Sequence, residues 1–166
     1  MKKMSSTYDV LINAMKENEY SFDIYFRMAV IDEYFKGNEK IWDLYNKLQQ
    51  TRCSKIKEVP LEMIDHKKDF INLINTIKLH GYDFNYPILI NKDGLIIDGA
   101  HRMACSLFFD VPMISIYTSE IYCDFIPADY SKKWFEENEL DECIILAETQ
   151  RKKLKEKMKC INQRKF

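Results

Sequence analysis

The chain contains little glycine, proline and histidine, and it has no long hydrophobic run. Four glycines and four prolines among 166 residues are too few for a collagen-like or low-complexity segment. No stretch approaches the roughly 18 uncharged apolar residues of a membrane-spanning helix, so we expect no membrane partner. The N-terminal residues, MKKMSSTYDVLINAMKENEY, lack the sustained apolar segment and cleavage site of a secretory signal. These absences predict a globular protein of the cytoplasm.

The cysteines lack the spacing of a zinc site. They are five in number, spread from Cys53 to Cys160, and no two have the short separation of a metal-binding pair. Because no secretory signal precedes them, we expect reduced thiols that pack as small apolar side chains.

What the sequence does contain is enough apolar material for one domain with a core. Hydrophobic residues make up 46% and aromatic residues 13% of the chain. The net charge of -1 is unevenly distributed, since the last sixteen residues hold eight Lys or Arg and one Glu, which leaves about -8 on the remainder. We interpret this basic tail as a solvated helix end, with contact to a polyanion as the alternative.

The first third of the chain has helical periodicity. Apolar residues recur at three- and four-residue spacing from residue 8 to residue 50, which predicts three helices. We expect Ser21 to cap the second helix, and Gly37 with Asn38 to separate it from the third. A stripe of aromatic residues in these helices has the spacing of core positions, with the lining of a pocket as the alternative: Tyr20, Phe22, Tyr25, Phe26, Tyr34 and Phe35.

The centre of the chain has a mixed pattern. IKEVPLEMI predicts a strand, and DHKKDFINLINTIKLHG an amphipathic helix that Gly81 ends. YPILIN and LIID flank a Lys-Asp-Gly turn and predict a hairpin, after which HRMACSLFF predicts a helix and MISIYTSEI a strand. We therefore predict a single α/β (α+β) domain with a helical N-terminal extension over 1–52, a core over 53–126 and a helical tail over 127–166, whose two helices separate near Asp141.

The hairpin runs into a helix through Asp98-Gly99-Ala100-His101-Arg102. A helix N-terminus has unpaired N–H groups and partial positive charge, so it attracts anions. Gly99 and Ala100 leave the approach open, while His101 and Arg102 add donors suited to phosphate. Beside a phosphate, Asp98 would coordinate a cation or handle a proton. The alternatives are structural: Asp98 as a helix cap, His101 as a buried histidine and Arg102 as the partner of an acid.

The run VPLEMIDHKKDFINLINTIKLHGYDFNYPILINKDGLIIDGAHRMACSLFFDVPMISI, residues 59–116, resembles the core of the ParB/sulfiredoxin superfamily. The resemblance covers about a third of the chain and rests on the order of elements and on the turn motif DGAHR. Ala100 stands where sulfiredoxins have their catalytic cysteine, and no arginine-rich boxes typical of ParB follow Ile116. The motif is most similar to that of the free serine kinases of this superfamily.

This resemblance implies site residues. Asp98 would be a catalytic or metal-organising acid, and residues 99–102, with His101 among them, would bind phosphate. The kinases use an acid of an H-E pair to activate the substrate hydroxyl, whereas His66 is followed here by lysine. Asp65, Glu62 and His66 are therefore alternative bases, and Asp69 lies one helical turn beyond.

The favoured function is a kinase that uses ATP or another nucleotide, with Mg²⁺, to phosphorylate the hydroxyl of a small molecule such as an amino acid or a sugar-like compound. A ParB-like nuclease or a nucleotide-gated DNA-binding accessory protein is the alternative, in which the basic tail contacts nucleic acid. The acidic remainder of the chain weighs against this alternative. A third class is a non-catalytic interaction protein.

Overall fold

A computed structural model describes residues 2–14, 21–53, 66–121 and 131–163. Within these ranges the fold is a mixed α+β arrangement of helices and one sheet, in agreement with the predicted fold class. The elements in chain order are β1 (Lys2–Ser6), α1 (Thr7–Ala14), α2 (Asp23–Phe35), α3 (Ile41–Cys53), α4 (His66–His80), β2 (Ile88–Ile90), β3 (Ile96–Asp98), α5 (Ala100–Phe108), β4 (Met113–Thr118), α6 (Lys132–Glu137) and α7 (Asp141–Gln163).

The four strands form one sheet in the order β1-β4-β2-β3. Strand β4 is antiparallel to β1 and parallel to β2, and β2 is antiparallel to β3. Ile114 and Ile116 of β4 lie on a buried face of the sheet. On the other face Met113 and Tyr117 are exposed, whereas Ser115 between them is buried and bonds to the loop after α4. Helix α5 connects β3 to β4, so the start of α5 lies at the end of the hairpin.

Helix α2 lies at the centre of the molecule. Its residues from Asp23 to Ile31 are all buried, and the helix packs against both α5 and α7. A helix buried on every side belongs to the interior of a domain. The buried hydrophobic residues from α1 through α7 form a single core cluster, so the N-terminal helices pack on the same core as the central segment.

The N-terminal region differs from the sequence prediction at two points. Strand β1, in the polar stretch KKMSS, was not predicted because its residues do not alternate between apolar and polar; pairing with β4 forms it. The cap at Ser21 is also wrong, because the N-cap of α2 is Phe22 and has no side-chain hydrogen bond. The break at Gly37 is confirmed, since its φ of +76° is in the left-handed region.

The predicted central elements are confirmed where the structure describes them. Helix α4 ends at Gly81, whose N–H donates to the carbonyl of Ile77 at 2.9 Å. Strands β2 and β3 form the predicted antiparallel hairpin, and α5 begins directly after Gly99. The strand predicted from IKEVPLEMI lies outside the described residues.

The aromatic stripe is divided between core and surface. Phe22, Tyr25 and Phe26 are buried, whereas Phe35 is 42% exposed, and Tyr20 lies outside the described residues. Among the cysteines whose side chains are described, Cys105 and Cys143 are buried thiols and Cys160 is an exposed one. No helix in the described ranges has the length and apolar character needed to cross a membrane.

The C-terminal tail packs against the rest of the protein. Leu154 of α7 is buried in the common core, and Lys153 and Lys157 form ion pairs with Asp32 and Asp110. Some basic residues of α7, such as Lys153 and Lys157, therefore pair with acids of the body while they remain exposed, and others, such as Lys155, are exposed as well.

Candidate functional site

The turn between β3 and α5 requires glycine at residue 99. Its φ is +95°, a conformation that L-residues with a side chain adopt only with strain. A Cβ atom at Gly99 would lie 3.1 Å from Arg102 Nη2 and 3.3 Å from the Cα of Ile88. The chain therefore passes very close to strand β2 at the point where helix α5 begins.

The first turn of α5 presents free backbone donors. Gly99, the N-cap residue, has no side chain to accept from them, and no acceptor for the N–H groups of Ala100, His101 and Arg102 lies among the described residues. The carbonyl of Gly99 already accepts the N–H of Met103 at 2.8 Å. Unpaired donors and the positive end of the helix dipole together favour an anion at this position.

A cleft of about 330 Å³ opens at this turn. Helix α4 contributes its first residue, His66, and residues from its next two turns, while α5 contributes its own first turn, so two helix N-termini border the same space. The polar and apolar side chains that line the cleft are Tyr45, His66, Asp69, Phe70, Leu73, Asp98, His101 and Arg102, and Gly99 lines it with its backbone. Both positive helix ends add to the attraction for a ligand with negative charge.

The imidazole of His101 contacts Tyr45 of helix α3. Its Nε2 atom lies 2.7 Å from the hydroxyl oxygen of Tyr45, and its ring meets the ring of Phe70 edge-on at a centroid distance of 4.6 Å. Burial lowers the pKa of His101 well below its usual value, and the positive charges of Arg27 and Arg52 lower it further. His101 is therefore a neutral imidazole at physiological pH.

A buried cluster of charged side chains lies behind His101. The carboxylate of Asp23 pairs with the guanidinium of Arg27 one turn along α2 and lies 3.5 Å from Arg52 on α3. All three side chains are buried.

The guanidinium of Arg102 pairs with an acid, as the structural alternative predicted, and also has two backbone contacts that the sequence does not predict. Its Nη1 atom donates to the carbonyl oxygens of Tyr86 and Pro87 at 2.7 and 2.9 Å, and its Nη2 atom donates to Asp98 Oδ2 at 3.0 Å. Arg102 therefore joins the first turn of α5 to the loop before β2, in addition to bordering the cleft.

Asp98 is an exposed acid of the site. Its side chain is 72% exposed, and one of its oxygens accepts from Arg102. No group of three or more potential ligands for a metal ion occurs among the described His, Cys, Asp and Glu residues. Mg²⁺ bound with a nucleotide needs fewer protein ligands, since phosphate oxygens and waters complete its shell. The cleft carboxylates, Asp98 and Asp69, are donors of the kind that such an ion takes.

The structure brings together six of the residues that the sequence singles out, namely His66, Asp69, Asp98, Gly99, His101 and Arg102. Ala100 is the first residue of α5. Asp65 and Glu62 lie outside the described residues. The Nε2 atom of His66 is buried and has no hydrogen-bond partner among the described residues.

Sequence reasoning missed Tyr45 and Phe70 as residues of the site. Both have the spacing of ordinary core positions on amphipathic helices, and Tyr45 is 56 residues from His101 in the sequence. The only local signal is the Tyr45-Gln49 pair, one helical turn apart on α3, in which Gln49 donates to the tyrosine hydroxyl.

The chain matches none of the protein-family models, curated proteins or solved structures with which it was compared.

Proposed function

We propose that the cleft binds the phosphate chain of ATP or another nucleotide and that the protein is a kinase acting on the hydroxyl of a small molecule. The observation that carries this proposal is the start of α5. There the N–H groups of residues 100–102 have no acceptor among the described residues, and Gly99, His101 and Arg102 line a cleft beside the exposed carboxylate of Asp98. Such donors suit phosphate oxygens, and an acid next to bound phosphate suits a cation or a hydroxyl.

The fold assignment that accompanies this proposal is a ParB/sulfiredoxin-like core. It is supported by the order of elements α4-β2-β3-α5-β4 and by the glycine turn that begins α5. We propose the cytoplasm as its location, since that compartment supplies both nucleotide and the reducing conditions that suit free thiols.

In the proposed reaction the hydroxyl oxygen of the acceptor bonds to the terminal phosphorus of the nucleotide. The bond from that phosphorus to the bridging oxygen breaks, the nucleoside diphosphate leaves, and a base takes the hydroxyl proton. Mg²⁺ would neutralise phosphate charge, with Asp98 as its protein ligand. The work of this chain is mainly to position the phosphates and to supply donors to them.

The cleft offers several candidates for the base. Asp69 and His66 are the described ones, since both line the cleft, while Asp65 and Glu62 lie outside the described residues. His101 is unsuited to this role, because its Nε2 atom is occupied by Tyr45 and its pKa is lowered. Its part is that of a neutral hydrogen-bond donor.

The test is a transfer assay with Asp98→Asn. The protein is incubated with Mg²⁺, ATP labelled on the terminal phosphate and a mixture of hydroxyl metabolites, and products are separated and identified. We expect a labelled product from the unaltered protein, and a turnover at least about a hundredfold lower for Asp98→Asn, with nucleotide affinity changed much less.

Asp93→Asn is the matched control. Asp93 is an exposed acid in the turn of the same hairpin, and it is not among the residues that line the cleft. This control should keep full turnover. Absence of any labelled product, or an equal loss in both variants, would contradict the proposed function.

A further inference from the structure

Tyr45 connects the N-terminal helices to the cleft through two hydrogen bonds. Its hydroxyl lies 2.7 Å from His101 Nε2 and accepts from the side-chain amide nitrogen of Gln49 at 2.9 Å. The ring of Tyr45 is fixed by contacts with Trp42 and Phe70, at centroid distances of 5.7 and 5.4 Å. The hydroxyl therefore has a defined position between one donor and one ring nitrogen.

The direction of these hydrogen bonds determines the tautomer of His101. A tyrosine hydroxyl has a single hydrogen, and an amide nitrogen donates only. Gln49 donates to one lone pair of the hydroxyl, and among the described residues His101 Nε2 is the one acceptor within reach of the hydroxyl hydrogen. The hydrogen is therefore directed to Nε2, which accepts it. Burial raises the pKa of Tyr45, so this hydroxyl keeps its hydrogen. A neutral imidazole that accepts at Nε2 bears its proton on Nδ1.

We propose that Tyr45 is a positioning residue of the cleft, whose hydroxyl fixes His101 as the Nδ1–H tautomer and so makes the imidazole a hydrogen-bond donor for a bound phosphate. No described group accepts from Nδ1, so this donor is available to a ligand. The identity of the ligand rests on the proposed function, whereas the tautomer does not.

The surroundings of His101 favour the neutral ring. Arg27 of α2, Arg52 of α3 and Arg102 of α5 all contribute positive potential at the imidazole. An imidazolium would be costly beside these groups. A neutral Nδ1–H donates to phosphate without adding a buried charge.

The tautomer is measurable in the ligand-free protein by ¹⁵N NMR of the imidazole rings. The chain has three histidines, so His101→Gln identifies the signals of His101 by their disappearance. We expect the spectrum of the unaltered protein at pH 7.5 to show that Nδ1 of His101 bears the ring proton and that Nε2 does not. Hydrogen on Nε2 would overturn the inference.

Gln49→Glu reverses the hydrogen bond without removing the tyrosine. A carboxylate at residue 49 accepts from the Tyr45 hydroxyl, whose oxygen is then available only as an acceptor for His101. We expect the hydrogen of His101 to move to Nε2 in this variant. A Gln49→Glu protein that keeps the Nδ1–H tautomer would also overturn the inference.

The functional consequence is tested with Tyr45→Phe and inorganic triphosphate as the probe. Phenylalanine keeps the ring contacts and removes the hydroxyl that orients His101, so triphosphate affinity should fall about three- to tenfold, the effect of one hydrogen bond. Tyr34→Phe is the matched control, because the hydroxyl of Tyr34 has no hydrogen-bond partner among the described residues.

The two proposals fail in different ways. Equal triphosphate affinities in Tyr45→Phe and Tyr34→Phe would overturn the positioning role. The expected tautomer, with its reversal in Gln49→Glu, in a protein that does not bind triphosphate would support the tautomer assignment and contradict the proposed function.

Discussion

Arg102 and Asp98 form an ion pair across the turn that begins helix α5, with 3.0 Å between Nη2 and Oδ2. The same guanidinium binds two carbonyl oxygens of the loop before β2. The pair therefore places the carboxylate of Asp98 beside the first turn of α5. The side chain of Arg102 therefore has two roles: it links α5 to the loop before β2, and it contributes positive charge at the cleft.

Arg102→Ala is expected to affect both stability and binding. The substitution leaves the carbonyls of Tyr86 and Pro87 without their donor, so the free energy of unfolding in urea should fall by about 1–3 kcal/mol. Triphosphate affinity should fall as well, because a positive charge at the cleft is lost. Arg102→Lys is the control: it keeps the charge but not the planar fork, so it should recover more affinity than stability. An unchanged unfolding free energy in Arg102→Ala would contradict the structural role.

Gly99→Ala should be more destabilising than Gly81→Ala. Both glycines have positive φ, so both substitutions cost backbone strain of about 1–2 kcal/mol. A Cβ at Gly99 also meets Arg102 and Ile88 within 3.4 Å, whereas one at Gly81 meets nothing within 4 Å. Urea unfolding of the two variants measures the difference. Equal losses would show that the close approach at Gly99 is relieved at no cost.

Stability should fall on acidification below the unfolded-state pKa of histidine, about 6.5. Since burial and the nearby arginines lower the folded-state pKa of His101, the unfolded chain binds a proton in this range that the folded protein does not bind. The stability that the neutral His101 contributes is thus fully present above pH 6.5. It is lost as the pH falls towards the lowered folded-state pKa, with a slope of at most about 1.4 kcal/mol per pH unit.

The measurement is urea unfolding between pH 7.5 and pH 5, comparing the unaltered protein with His101→Gln. The variant should lose less stability over this range, because it has no imidazole to titrate at this position. Parallel pH profiles would mean that the pKa of His101 is the same in the folded and the unfolded protein, which would contradict the lowered folded-state pKa.

Charge reversal on α7 tests the alternative of a nucleic-acid protein. Lys152, Lys155 and Lys159 are exposed, so replacing all three by glutamate leaves the buried Leu154 in place. We expect unchanged triphosphate affinity and no tight binding of DNA at about 0.15 M salt, either before or after the substitution. Tight DNA binding that falls steeply with salt and is lost in the triple variant would favour the alternative.

The sequence by itself determined the local elements around the turn. Periodicity predicted α4 and α5, the Lys-Asp-Gly turn predicted the hairpin, and Gly81 and Gly99 marked where helices end and begin. These features depend on neighbours within one or two turns of the chain, since backbone conformation at glycine and the burial of one helix face are local properties. The candidate anion site at the start of α5 follows from the same local signals.

Only the tertiary structure decided what surrounds that site. Tyr45 and His101 are 56 residues apart. The polar segment of β1 forms a strand by pairing with β4, which is more than 100 residues away along the chain. The two contacts of Arg102 with the loop before β2 likewise need the hairpin and α5 to be packed together. Such pairings arise from the burial of a shared core and the satisfaction of polar groups within it, neither of which a local pattern specifies.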